Sequence, residues 1–203
     1  MQILLSCAKT MAESTSLPIP RTTSPLYGAQ AGELAGQLAT LSTEELAKIL
    51  RVNHRIAATN RLRYSRFHDN AERALPALAA YTGIVFKRIA PADFTAGDFE
   101  YAQAHLNITS FLYGLLRPLD TIRTYRLEGD AVLPGHGEQT GFEYWQDKLT
   151  DAFLEKIKAD DGILVNLASS EMKRLFDWKR ICREVRVVTP EFRIREDDRL
   201  KTV

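Results

Sequence analysis

The chain has 203 residues, a length that favours one domain and needs no disulfide or metal to secure its core. With 45% hydrophobic and 26% charged residues it is neither fibrous nor wholly disordered, and no apolar run approaches the roughly 18 residues of a membrane span. A formal net charge of +1 at first sight disfavours a nucleic-acid partner, since such domains are often strongly basic.

Gln2–Leu5 reads as a short buried strand. Met1–Ala8 has no basic n-region and only three strong apolar residues before Ser6, so it does not read as a secretory signal. Residues 11–25 carry Pro18, Pro20 and Pro25 among Ser and Thr, the mark of an extended surface segment. Leu34, Leu38 and Leu41 recur at helical spacing and predict a helix over about 26–40. Ser42 with Glu45 forms a capping box for a helix burying Leu46, Ile49 and Leu50. Asn53 breaks that helix, and a third runs over about 54–67. Ala77–Tyr81 and Ile84–Ile89 read as two strands about a Thr82-Gly83 turn, with a helix as the alternative for the first. Asp93–His105 predicts a short helix. Leu106–Leu116 reads as one buried strand ending at Arg117-Pro118. Phe142–Lys158 is an amphipathic helix, Gly162–Ala168 a second buried strand, Ser169–Lys173 a helix start and Val185–Ile194 a third strand. This order predicts an α+β fold: a single mixed-sheet domain over 1–203, with flanking helices and a helix-hairpin-helix-like element near 43–66.

Charge is segregated along the chain. Leu46–His68 holds Lys48, Arg51, Arg55, Arg61, Arg63 and Arg66 with no acid, so this stretch carries +6 and the remainder −5. A solvated helix face usually interleaves acids for i,i+4 pairing, and their absence favours phosphate contact. Arg51, Arg55 and Arg66 fall near one helical face if the two helices are continuous. The competing reading is an ordinary αα-hairpin packed on the core. The Arg51-Val52-Asn53-His54 turn lacks the glycines usual in a helix-hairpin-helix.

Three further segments hold polar groups at strand ends. Lys9 and Thr10 follow the first strand in Ser6-Cys7-Ala8-Lys9-Thr10, which has none of the glycines of a P-loop. Arg117 and Arg126 flank a turn stiffened by Pro118 and point either into a cleft or into a structural network with Asp120 and Glu128. Asn166 and Ser169, in Asn166-Leu167-Ala168-Ser169-Ser170-Glu171, sit at a strand-to-helix junction that caps a helix or holds an anion. Gly114 within an apolar strand implies a bulge or a close backbone approach. Cys7 and Cys182 lie outside any CxxC motif and read as reduced thiols of a cytosolic protein. The four histidines show no HxxxH or HxH spacing, and no GxSxG is present; no metal, cofactor or catalytic residue is expected.

Taken in order, these segments resemble the YaaA family of peroxide-stress proteins. The matching blocks are Ser6-Cys7-Ala8-Lys9-Thr10, Asn60 with Arg63-Tyr64 and Phe67, Ala102-Gln103-Ala104-His105-Leu106, Leu112-Tyr113-Gly114-Leu115-Leu116-Arg117-Pro118-Leu119-Asp120, Tyr125-Arg126-Leu127-Glu128, Tyr144-Trp145 and Asn166-Leu167-Ala168-Ser169. The resemblance implies a bacterial cytoplasmic protein of a mixed fold peculiar to the family. It further implies a positively charged cleft, a helix-hairpin-helix, DNA binding, and a role in hydrogen-peroxide tolerance tied to iron-driven DNA damage or its repair. Two departures stand out. Gly129-Asp130 follows the Tyr125–Glu128 block where the family usually has Met-Gly. Relatives also continue beyond a segment like Lys201-Thr202-Val203 into an aromatic, basic stretch, so a chain ending there is expected to lack a strand and part of the basic surface.

The leading expectation is a module that binds the DNA phosphate backbone with little sequence specificity. Its contacts would be Lys9, Lys48, Arg51, Arg55, Arg61, Arg63, Arg66, Arg117 and Arg126, around a cleft lined by Thr10, Glu128, Asn166 and Ser169. The rival is an enzyme clamping a small anionic or nucleotide substrate with Lys9, Arg117 and Arg126, using Glu128 or Asp120 as base. That rival requires Lys9, Arg117 and Glu128 to converge in a closed pocket of about 300–1,000 Å³. Direct iron sequestration has no support from the scattered His and carboxylate residues.

Overall fold

The computed structural model describes residues 1–69, 73–196 and 199–202. The first strand is β1 (Gln2–Leu5), after which residues 10–12 run beside 80–82 through Ala12 N–H to the Ala80 carbonyl at 2.8 Å and Thr82 N–H to the Thr10 carbonyl at 3.0 Å. Helix α1 (Gly28–Ala39) buries Leu34 and Leu38 as their spacing predicts. Helix α2 (Thr43–Leu50) starts at the complete Ser42–Glu45 capping box and ends at Arg51, whose φ of 51° is left-handed. Asn53 then caps α3 (His54–Ser65) by accepting from the Ile56 N–H at 3.0 Å, so the residue that breaks one helix starts the next. The left-handed Arg51 separates the two helical axes. A continuous helix carrying Arg51, Arg55 and Arg66 on one face is therefore not what forms.

Strand β2 (Leu75–Pro76) leads into α4 (Ala77–Ala80) and α5 (Ile84–Ile89). The two strands expected here are helices instead. Ile84-Val85-Phe86-Lys87 has no alternation; Phe86 alone of α5 is buried, and Gly83 provides the extended residue before it. Helix α6 (Ala96–His105) begins three residues later than Asp93, because Pro91–Asp93 forms a 3-10 turn and Thr95 makes a capping box with Asp98. The apolar run 106–116 is two strands rather than one: β3 (Leu106–Ser110) and β4 (Gly114–Leu116) are antiparallel neighbours. The reversal is tight because Ser110 Oγ accepts from the Tyr113 N–H at 2.9 Å and Gly114 takes φ +70°. After β5 (Thr121–Ile122), which pairs with β2, comes α7 (Gly141–Ala159), started by a Thr140–Glu143 capping box.

Strand β6 (Ile163–Asn166) is followed by α8 (Ser170–Lys173) and by α9 (Trp178–Glu184), capped by Asp177 and not anticipated from the sequence. The predicted strand 185–194 divides into β7 (Arg186–Val188) and β8 (Arg193–Glu196), with Pro190 between them unable to donate to a ladder. β8 pairs antiparallel with β9 (Arg199–Thr202).

The result is an α+β fold with a five-stranded mixed sheet in the order β4-β3-β1-β6-β7. β1 pairs parallel with β3 and with β6, β6 pairs parallel with β7, and β4 alone is antiparallel. β3 is buried at every residue, as expected of a parallel strand covered on both faces. Helix α7 packs on the sheet through Trp145, Leu149, Phe153 and Ile157, all essentially solvent-free. Trp145 also donates Nε1–H to the Phe111 carbonyl at 2.8 Å. Tyr64 of α3 donates its hydroxyl to the Arg126 carbonyl at 2.5 Å, tying the hairpin to the segment that follows β5. Among the described residues no helix is long and apolar enough to cross a membrane.

Candidate functional site

The parallel strands β1, β3 and β6 end at the same sheet edge. From β1 the chain next enters the sheet on one side, at β3; from β6 it continues on the other side, at β7. The edge between β1 and β6 is thus a topological switch point, where diverging connections leave a crevice outside the carboxyl ends of the strands. A cavity of about 220 Å³ lies there. Its walls are Ser6, Cys7, Ala8 and Lys9 after β1, Phe111 after β3, Ser169, Glu171 and Met172 after β6, and Tyr125–Glu128.

The turn after β1 is fixed by the neighbouring strand: Thr109 Oγ1 donates to the Leu5 carbonyl at 3.1 Å and accepts the Cys7 N–H at 3.2 Å. Ser6 Oγ accepts the Ser169 N–H at 2.9 Å, joining the ends of β1 and β6. On the far wall a buried chain of hydroxyls, Tyr81 to Tyr125 at 2.9 Å and Tyr125 to Ser110 at 2.7 Å, holds the Tyr125 ring. Burial pushes both phenols well above their ordinary range. It also raises the Cys7 thiol to about 12, so Cys7 is a neutral wall rather than a nucleophile.

Glu128 lines this pocket, its side chain 14% exposed. One carboxylate oxygen meets Lys9 Nζ at 3.3 Å and the other meets Arg126 Nη2 at 2.7 Å. Among the described residues, two buried side-chain polar atoms lack a hydrogen-bond partner, and one is Arg126 Nε. The other, Asn60 Oδ1, lies on α3 beside Arg55 and Arg63. Thr10 hydrogen-bonds Thr82 instead of lining the pocket, and Asn166 shapes the turn after β6 by accepting the Ala168 N–H at 3.3 Å.

Arg117 is elsewhere. Its guanidinium binds Asp120 at 2.8 Å and the Ser24 carbonyl at 3.1 Å, and its backbone N–H donates to the same carboxylate at 2.8 Å. It borders a separate cavity of about 480 Å³, with Lys156 and Phe153. Desolvation, with Arg117 nearby, lowers the Lys156 ammonium to about 8 while it donates to Asn107 Oδ1 at 2.7 Å. Lys9, Arg117 and Glu128 therefore do not converge, and Asp120 is committed to Arg117.

The basic hairpin divides by face. Arg51 is paired with Asp130 at 2.8 Å, Arg61 donates to the Leu41 carbonyl at 3.0 Å, and exposed Lys48 lies on α2. Arg55, Thr59, Arg63 and Arg66, at helical spacing, line one side of α3. Two adjoining hollows there, of about 290 and 750 Å³, share Thr59 and Arg63 and form one open groove. Ala12, Glu13, Ser14, Arg73, Leu75 and Thr124 contribute to its other walls, and Glu13 meets Arg63 at 3.2 Å. Arg73 and Glu13 escaped the sequence reading because they lie in irregular segments far from α3 in the chain. Phe111, Glu171 and Met172 did as well, although each follows the end of a buried strand.

An α+β protein with its cavity at the switch point of a mixed sheet and an arginine-lined helix groove beside it is the class that these features define. The family model for "Peroxide stress protein YaaA" matches residues 1–203. A UPF0246 protein of Bacteroides thetaiotaomicron is 58% identical over 203 residues, all of this chain and 79% of the relative. Further UPF0246 proteins match over similar spans, at 48% identity in Porphyromonas gingivalis (98% of this chain, 78% of the relative) and 32% in Clostridium beijerinckii (100% and 78%). The chain belongs to the YaaA family of peroxide stress proteins.

Proposed function

We propose that this chain serves peroxide tolerance by binding DNA through its phosphates, with little regard to sequence. In this reading it works as one domain in the cytoplasm, and α2 and α3 act as a helix-hairpin-helix. The observation that carries the proposal is the open groove along α3, lined by Arg55, Arg63, Arg66 and Arg73 against two carboxylates, Glu13 and Asp69. Arginine forks suit phosphate oxygens, and contacts of that kind position a nucleic acid without reading its bases. Net charge is no objection, since phosphates feel the charge within a Debye length of about 8–10 Å. Lys48 and Arg61 flank the groove from other faces of the hairpin. Lys9 and Arg126 reach a ligand only from within their pairing with Glu128, and Arg117 is left out of the contact set.

A fluorescence-anisotropy titration of duplex DNA across salt tests the proposal. Four engaged arginines give a slope of log K against log salt of about −3 to −4, at about −0.9 per phosphate. Arg55→Ala with Arg66→Ala reduces that slope by about 2 units without creating sequence preference. Absence of duplex binding, or binding indifferent to salt, refutes it. A small substrate cannot be clamped by Lys9, Arg117 and Arg126 together, because Arg117 and Lys9 border different cavities.

A further inference from the structure

We infer that the switch-point pocket is a site for a single uncharged nucleobase, delivered as a free nucleoside or extruded from DNA held in the α3 groove; the second source rests on the function proposed above. Four observations lead here. First, the charged walls balance: Lys9 and Arg126 face Glu128 and Glu171, so the pocket offers no surplus charge to a bare anion. A neutral ring bearing both donors and acceptors suits such a wall better.

Second, the remaining walls are apolar or neutral. Phe111, Leu127, Met172 and the Tyr125 ring supply surface on which a flat heterocycle can stack, and the Cys7 thiol stays protonated. Third, a polar edge is ready: the Arg126 side chain, 26% exposed, lines the pocket beside the partly exposed Glu128 carboxylate, which keeps lone pairs beyond those used by Lys9 and Arg126. A donor beside an acceptor is what the hydrogen-bonding edge of a base requires. At about 220 Å³ the cavity is smaller than the roughly 300–1,000 Å³ of sites for drug-sized ligands, which suits one small ring system.

Fourth, groove and pocket are joined by two short stretches of chain. Thr124 lines the groove and Arg126 the pocket; Ala12 lines the groove and Lys9 the pocket. Two or three residues span at most about 7–11 Å. A strand lying along α3 thus passes within reach of the pocket with a base turned out of its stack, the arrangement used by proteins that flip a nucleotide.

The test uses the full chain and the four deoxynucleosides as probes, read by saturation-transfer NMR, with inorganic phosphate as competitor. Binding of at least one deoxynucleoside is expected, unaffected by phosphate. It should weaken about tenfold in Glu128→Gln, the loss of one charge-assisted hydrogen bond, and vanish in Ser169→Trp, which puts a bulky ring on an exposed position of the pocket wall. Thermal midpoints of both variants are recorded to show that they fold. In a second arm, duplex carrying 2-aminopurine opposite a mismatch is titrated by anisotropy and by fluorescence intensity. A rise in intensity that Ser169→Trp abolishes, at unchanged duplex affinity, identifies the base as extruded. Deoxynucleoside binding without an intensity rise identifies a free-nucleoside site. Duplex binding with neither deoxynucleoside binding nor an intensity rise overturns the inference and leaves the proposed function standing. Deoxynucleoside binding without duplex binding does the reverse. Displacement of the deoxynucleoside by phosphate overturns the inference in favour of an anion site.

Discussion

Gly114 offers a quantitative check on how the sheet edge is built. Its φ is +70°, and a Cβ placed there would lie 2.7 Å from Trp145 and 2.9 Å from Leu149. Neither neighbour has room to retreat: both are fully buried, and the Trp145 ring is anchored by its 2.8 Å hydrogen bond to the Phe111 carbonyl. In Gly114→Ala the left-handed backbone costs about 1–2 kcal/mol. Overpacking against the two side chains adds about 1–3 kcal/mol. The expected loss of roughly 2–5 kcal/mol is a large part of a typical stability of about 5–15 kcal/mol. For a chain of this size it corresponds to a drop of about 4–20 °C in Tm. Gly137→Ala is the control, because Gly137 has φ +65° but nothing within 4 Å of its would-be Cβ. That variant should lose only the backbone contribution of about 1–2 kcal/mol. Calorimetry and urea unfolding at unchanged m-value measure both. Equal losses in the two variants would refute the argument that Trp145 and Leu149 press on this turn.

Other consequences are as direct. With Cys7 raised to about 12 by burial and Cys182 exposed, a disulfide exchange reagent at pH 8 should modify Cys182 in the native protein and Cys7 only after denaturation. Rapid native modification of both thiols would contradict this. Lys156 is held at about 8 against an ordinary 10.5, so between those values the unfolded chain binds a proton that the folded one lacks. Stability should rise with pH across that window, and the rise should disappear in Lys156→Met. Glu184 is lowered from 4.5 to about 2 by Lys158 and Arg180. Its contribution is present above 4.5 and lost as pH falls toward 2, so acid unfolding curves of the wild type and Glu184→Gln should converge at the bottom of that window.

Local chemistry was legible wherever a few neighbouring residues settle the outcome. Ser42 with Glu45, the leucine spacing of α1 and the apolar stripe of α7 needed nothing beyond their own turn of chain. Legibility ended where composition misled, where a turn rests on one side-chain capture, or where the partner is distant. Ile84–Ile89 looked strand-like from composition, yet it has no alternating face to bury and became a helix. The run 106–116 looked like one strand because the reversal depends on Ser110 Oγ capturing the Tyr113 N–H and on space reserved beneath Trp145. Gly129-Asp130, the departure from the family pattern, gains a reason in three dimensions. A side chain at Gly129 would enter the Phe142 ring, and Asp130 pairs with Arg51.

By itself the sequence determined the α+β class, the helix boundaries set by caps, the family resemblance and the concentration of positive charge in Leu46–His68. Only the tertiary structure decided which of those charges face a common groove. It turned Arg51 to Asp130, set Arg55, Arg63 and Arg66 along one groove, and gathered Lys9, Arg126 and Glu128 at the switch point between β1 and β6. The reason is that Coulomb and hydrogen-bond energies depend on separation in space. Residues such as Lys9 and Glu128 come within 3.3 Å through strand order, which no local spacing records.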